Sequence, residues 1–190
     1  MADKIDVPNV MTPKFRVSFP NVFRPGKPVD PTKAGKYSVT MLFDKDANLE
    51  PLKKAMVDFM TKKFGGNQAS WPKLSRNPFR DQGEKTFEGY VAGAKFINAT
   101  SNTKPGLVDA QNNDIINEAD FYPGCYARAT VRPFWYDTAG NKGVAFGLQN
   151  IQKLADGEPL GGRVAASKEF EPVAPTVSGA KTWDEIKTTT

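Results

Sequence analysis

The sequence predicts a mainly β protein, a small antiparallel barrel with one inserted α-helix at about residues 49–64 and a disordered C-terminal tail. Three observations lead there. Stretches of alternating apolar and polar residues recur along the 190-residue chain, one stretch changes to helical spacing, and the last 25 residues turn to Pro, Ser, Gly and Thr. Side chains swap faces at every strand residue but return to one face after each helical turn, so the two periods separate strand from helix.

Residues 1–13 are polar, bounded by Pro8 and Pro13, and read as a flexible leader. K-F-R-V-S-F-P (14–20) is the first strand, with Phe15, Val17 and Phe19 on one face and Lys14, Arg16 and Ser18 on the other. A loop rich in Pro, Gly and Lys leads to a second strand at 37–43. Leu49, Leu52, Met56, Phe59, Met60 and Phe64 then recur at helical spacing, behind Asn48 as N-cap and ahead of Gly65 and Gly66 as a stop. This stripe is read as core packing. Residues 67–89 are irregular, and Trp71 and Phe79 within them are expected to plug the barrel. Strands resume at 90–99 and 122–136, separated by a loop holding K-P-G-L-V-D. Residues 137–142 read as a hairpin turn into a strand at 143–154. Strands, a helix, and strands again with glycine-rich bends fit an OB-fold, whose strand face and connecting loops form a groove.

Composition removes several functions. With no histidine, neither a Ser-His-Asp nor a Cys-His arrangement is possible, and imidazole zinc sites are excluded. Carboxylates are scattered singly, with no metal-ligand spacing and no phosphate-binding glycine loop; Gly161 and Gly162 before Arg163 read as a turn. No enzyme, cofactor or metal is therefore expected. The single cysteine, Cys125, sits among small residues as a core thiol. No apolar run approaches the ~20 residues of a membrane span, and the N-terminus lacks the features of a secretory signal, so a cytoplasmic location without membrane contact is expected. The net charge of +5 suits a polyanion partner, and residues 14–36 carry six basic side chains against the single acid Asp30.

The most informative stretch is C-Y-A-R-A-T-V-R-P-F-W-Y (125–136). In a strand, Cys125, Ala127, Ala129 and Val131 share a small apolar face; Tyr126, Arg128, Thr130, Arg132, Phe134 and Tyr136 share the other. Flat rings offer stacking surfaces to unpaired bases, and arginine supplies a fixed charge for phosphate, which is the chemistry of a sequence-tolerant single-strand binder. The bland alternative is ordinary barrel surface whose arginines pair with acids. Pro133 cannot donate to a sheet ladder and could mark a bulge; Trp135 faces away in a regular strand and would swing into the groove if the strand bulged there. The expected nucleic-acid contacts are Lys14, Arg16, Lys36, Tyr126, Arg128, Arg132, Phe134 and Tyr136, with Lys95, Lys104 and Trp135 as secondary contacts.

The segments F-R-V-S-F-P-N-V-F-R-P (15–25), K-Y-S-V-T-M-L-F (36–43), K-P-G-L-V-D (104–109), F-Y-P-G-C-Y-A-R-A-T-V (121–131), and G-N-K-G-V-A-F-G-L-Q-N-I-Q-K-L with D-G-E-P-L-G-G-R (140–163) resemble a tailed-bacteriophage family of single-stranded DNA-binding proteins. The resemblance spans roughly 14–163. It implies an OB-fold that coats unwound DNA during phage replication and recombination in the cytoplasm of the infected bacterium, without catalysis or a required metal. The implied organisation is a leader (1–13), a nucleic-acid-binding domain (14–165) and a disordered tail (166–190). Replicative single-strand binders commonly end in an acidic tail that recruits replication proteins. This chain ends I-K-T-T-T, and W-D-E-I around Trp183 is a reduced version of that motif.

Three rivals stand beside single-stranded DNA as the ligand. A non-catalytic phage structural or protein-interaction barrel would use the same arginines on a protein. A carboxylate-dependent nuclease would need divalent metal. Duplex DNA or RNA would be bound more weakly, although stacking and phosphate contacts do not by themselves distinguish the sugar.

Overall fold

The computed structural model describes residues 5–28, 30–161 and 169–173. Its strands are β1 (Val10–Met11), β2 (Phe15–Asn21), β3 (Tyr37–Leu42), β4 (Arg80–Asp81), β5 (Lys95–Ser101), β6 (Gly106–Val108), β7 (Tyr126–Thr138) and β8 (Asn141–Ala155), with the helix α1 (Glu50–Phe64) between β3 and β4. Five strands close a ring in the order β7, β2, β3, β5, β8 and back to β7; β1 extends β7, β4 extends β5 and β6 extends β8. This is the expected OB-like architecture. Pairing around the ring is antiparallel except at one seam, where β5 and β8 run parallel. Five strands of alternating direction cannot close on themselves, so one seam of the ring has to be parallel.

The ring encloses Phe15, Val17, Val39, Met41, Ile97, Ala99, Ala127, Val131, Phe146 and Leu148, and Leu49, Leu52, Phe121 and Cys125 belong to the same core. A second cluster, Val7, Phe59, Met60 and Val144 with Trp71 and Trp135 beside it, joins α1 to the long β7–β8 hairpin. Part of the segment expected as a leader is therefore used in packing: Val7 is buried, and Val10 and Met11 pair with Val131 and Thr130. Of the expected tail, only 169–173 lies among the described residues.

The helix begins where the Asn48 side chain accepts from the Glu50 N–H at 3.1 Å, with Pro51 in the first turn, where its missing N–H loses no helical bond. The first residue before the helix is Leu49, one later than the expected cap. Gly65 (φ 86°) ends it, and Lys62 and Lys63 face the negative end of the dipole. Trp71 caps this end by donating Nε1–H to the Gly65 carbonyl at 2.8 Å. It does not plug the barrel, because the exposed helix terminus offers its indole N–H an acceptor that the apolar interior lacks. Phe79, half-buried, packs against the core edge-on to Phe146 at 5.9 Å.

Two strand starts fall later than expected. Gly89 and Gly93 (φ 80° and 84°) turn the chain before β5, and Gly124 (φ 109°) turns it before β7. Pro133 causes no bulge: it stands opposite Phe146 in continuous register, beyond the last residue paired with β1. The register slips lie instead where Gln149 and Leu154 of β8 have no partner on β7. At the tip, Ala139 (φ 50°) and Gly140 (φ 82°) link the paired Thr138 and Asn141, the two positive φ values of a type I′ turn. Phe19 departs most from expectation. Its ring is out of the barrel and 52% exposed, because β2 carries one extra residue between Ser18 and Asn21.

Candidate nucleic-acid interface

The alternation along β7 survives folding. Ala127, Ala129, Val131 and Pro133 are buried, whereas Tyr126, Arg128, Arg132, Phe134 and Tyr136 lie on the outer side with partial or full exposure. Arg128 donates Nε–H to Gln152 Oε1 at 2.8 Å, and Arg132 donates Nε–H to Asn9 Oδ1 at 3.0 Å. Neutral amides orient a guanidinium without cancelling its charge. Among the described residues neither arginine has the acidic partner that the bland surface reading required.

The neighbouring strand makes room for the Tyr136 ring. Arg132, Phe134 and Tyr136 stand opposite Gly147, Ala145 and Gly143 of β8. A methyl group on Gly143 would lie 2.6 Å from the Tyr136 hydroxyl, and one on Gly147 3.7 Å from the Phe134 ring. The Tyr136 ring therefore leans across Gly143, where any side chain would collide with it. Trp135 points the other way, edge-on to Phe64 at 4.9 Å, and locks the hairpin to α1.

From Arg132 a rung of directly paired outer residues crosses the ring through Gly147, Thr100 and Ser38 to Asn21, about 4.8 Å per strand. The far end opens into a cavity of about 510 Å³ lined by Lys27, Lys33 and Lys36 together with Asn21, Ser38 and Thr100. Lys33 pairs with Asp30 at 3.7 Å, and Lys27 and Lys36 have no acidic partner among the described residues. Sequence reasoning singled out Lys36 but neither Lys27 nor Lys33. The signal that could have found them is the density of basic residues over 14–36.

Lys14, Arg16, Tyr126 and Arg128 form a separate group at the other end of β7. Arg16 is paired with Tyr126, and the Lys14 ammonium lies 5.2 Å from the Tyr126 ring centre. Eight residues separate Tyr126 from Phe134, about 26 Å along a strand. Arg16 donates to the carbonyls of Gly124 (3.3 Å) and Glu158 (2.6 Å), tying the segment after β8 back across the barrel. The same segment is held by Asp156, which accepts from Lys153 (2.7 Å) and from the Tyr122 hydroxyl (3.0 Å). Those two donors hold the Asp156 carboxyl below its ordinary pKa. Of the secondary candidates, Lys95 pairs with Asp81 at 3.3 Å and Lys104 lies 6.0 Å from the Phe23 ring.

Burial pushes the Cys125 thiol up, so it stays protonated in the core. Among the described residues, no three His, Cys, Asp or Glu side chains are grouped to hold a metal ion, and no helix is long and apolar enough to cross a membrane. What the outer face offers is flat rings, unpaired cations and a polar floor.

Residues 8–181 match the family described as Enterobacter phage Enc34, ssDNA-binding protein. Protein p50 of Acyrthosiphon pisum secondary endosymbiont phage 1 is 30% identical over 166 residues, spanning 82% of this chain and 89% of that protein. The single-stranded DNA-binding protein from bacteriophage Enc34, solved in complex with ssDNA, superposes with a TM-score of 0.66 at 20% identity, covering 80% of this chain and 89% of that one. The single-stranded DNA-binding protein gp2.5 of bacteriophage T7 gives 0.55 at 15% identity, covering 90% and 99%. At these identities the two solved structures speak for the fold, and the family match extends over nearly the whole body. The chain belongs to the Enc34 family of phage single-stranded DNA-binding proteins.

Proposed function

We propose that this protein coats unwound single-stranded DNA, tolerant of sequence, during phage replication and recombination. The family match over residues 8–181 carries the reading. The outer face supplies a mechanism. Arg132 and Lys36, with Lys14, Arg16 and Arg128 at the other end of β7, attract phosphates and release counterions, and Phe134, Tyr136 and Tyr126 stack on bases at about 1–3 kcal/mol each. Lys95 and Lys104 serve as secondary contacts; Trp135 supports the outer face from behind.

Residues 14–165 form the binding unit in this reading, and the protein acts without catalysis in the cytoplasm of the infected bacterium. Duplex DNA and RNA bind more weakly, and replication proteins are met through the segment around Trp183, which lies outside the described residues. The test is a salt titration of binding to fluorescent oligo-dT beside a duplex and an RNA of equal length. Affinity for dT that exceeds both and falls steeply with salt is expected. No binding at low salt would overturn the reading in favour of a protein-interaction barrel, and degradation of the DNA with divalent metal would overturn the non-catalytic part.

A further inference from the structure

Strand alternation would put Phe19 beside Phe15 and Val17 inside the barrel. The backbone does the opposite: pairing with β3 slips by one residue between Ser18 and Asn21, and Phe19 adopts φ 43° with its ring 52% exposed. Left-handed backbone is unfavourable for a bulky L-residue by about 1–2 kcal/mol, and an exposed ring forfeits its burial as well. The ring meets Phe87, itself 49% exposed, edge-on at 5.0 Å. Behind this pair stands a fixed support. Phe87 packs on Tyr90 at 5.5 Å, Tyr90 on the buried Phe96 at 5.9 Å, and the Tyr90 hydroxyl shares a 3.2 Å hydrogen bond with Ser18.

A cleft of about 160 Å³ opens at these rings, lined by Ser18, Phe19, Phe87, Glu88, Pro123 and Leu160. None of these residues is a cation, so the cleft suits an uncharged planar group and not a phosphate. Asn21, two residues on, donates its amide to Ser38 at 3.1 Å and borders the cavity of Lys27, Lys33 and Lys36. An aromatic cleft without cations, whose one carboxylate, Glu88, is engaged by the Gly161 N–H at 3.0 Å, lies beside a cationic one and repeats the alternation of base and phosphate along a nucleotide chain. We propose that Phe19 and Phe87 form a base-stacking site for single-stranded DNA, separate from the Phe134 and Tyr136 surface, with the adjoining phosphates held by Lys27 and Lys36. This rests on the DNA-binding reading above. The strained bulge holds the Phe19 ring outward before DNA arrives, so no ordering is required on binding.

The test compares wild type, Phe19→Gly and Phe87→Ala for binding to oligo-dT and to an abasic deoxyribose-phosphate oligomer of equal length. Glycine suits φ 43° while deleting the ring, so Phe19→Gly should melt no lower than wild type. Each variant should bind dT at least about 5-fold more weakly, the low end of one lost stacking contact, and the difference should vanish on the abasic oligomer, which has no base to stack. Variants that bind dT as tightly as wild type, or a deficit that persists on the abasic oligomer, would overturn the stacking site while leaving DNA binding intact. A wild-type protein that binds no single strand would overturn the reading beneath it.

Discussion

Alanine in place of Arg132 should damage DNA binding alone, whereas alanine in place of Arg16, which also anchors the chain, should cost stability as well. Arg16 donates to the Gly124 and Glu158 carbonyls at 3.3 and 2.6 Å. A well-shielded hydrogen bond to a charged group is worth about 1.5–3 kcal/mol; with one bond long and the side chain partly solvated, the pair together should contribute about 1–3 kcal/mol. At this chain length each kcal/mol moves the melting temperature by about 2–4 °C, so Arg16→Ala should melt about 2–12 °C lower. Arg132 has only the Asn9 amide to lose, and its replacement should shift melting by less than about 4 °C. Its effect belongs in the salt dependence, where one lost phosphate contact on a single strand lowers the log-log slope by about 0.7. Over a tenfold rise in salt, the wild-type advantage over Arg132→Ala should then shrink about fivefold. Thermal melts of both variants, with oligo-dT anisotropy titrations at several salt concentrations, measure the two properties separately. Wild-type melting of Arg16→Ala would refute the anchoring argument, and an unchanged slope for Arg132→Ala would refute its phosphate contact.

Phe146 is fully buried against Phe79, and Phe146→Ala should lose about 3–5 kcal/mol in urea unfolding. A loss below about 1 kcal/mol would mean the ring is not part of a tight core. Ala139 holds φ 50° at the first centre of the hairpin turn, so Ala139→Asn should stabilise by about 0.5–1 kcal/mol, and a lower melting temperature would contradict the turn assignment. Stability should decline in acid. The Asp81 carboxyl is held below its ordinary value of 3.8 by the N–H groups of Gly93 and Gly83, Asp109 by Asn113 and Gln111, and Asp156 by Lys153 and Tyr122. Each has a lower pKa folded than unfolded, so its contribution is complete above about pH 5 and is lost as pH falls through the folded value. Asp81→Asn should flatten part of that decline, and melting that rises on acidification would contradict the sign.

The sequence by itself determined what short-range periodicity can encode. Helical spacing between Asn48 and Gly65 located α1, and alternation from Tyr126 to Tyr136 sorted the arginines and rings of β7 to one side, because each depends only on neighbours a few residues apart. A hairpin turn within 137–142 was legible for the same reason, and the structure narrowed it to Ala139 and Gly140. Tertiary structure alone decided the parallel β5–β8 seam, the glycine beneath Tyr136, the carbonyls that engage Arg16, and the outward turn of Phe19. In Phe19 the apolar pattern of 14–20 pointed inward, and a one-residue slip against β3 overrode it. Arg16 and Glu158 are 142 residues apart, and which strands meet in which register is set by closing the ring around its core, a condition on the whole chain that no local window contains.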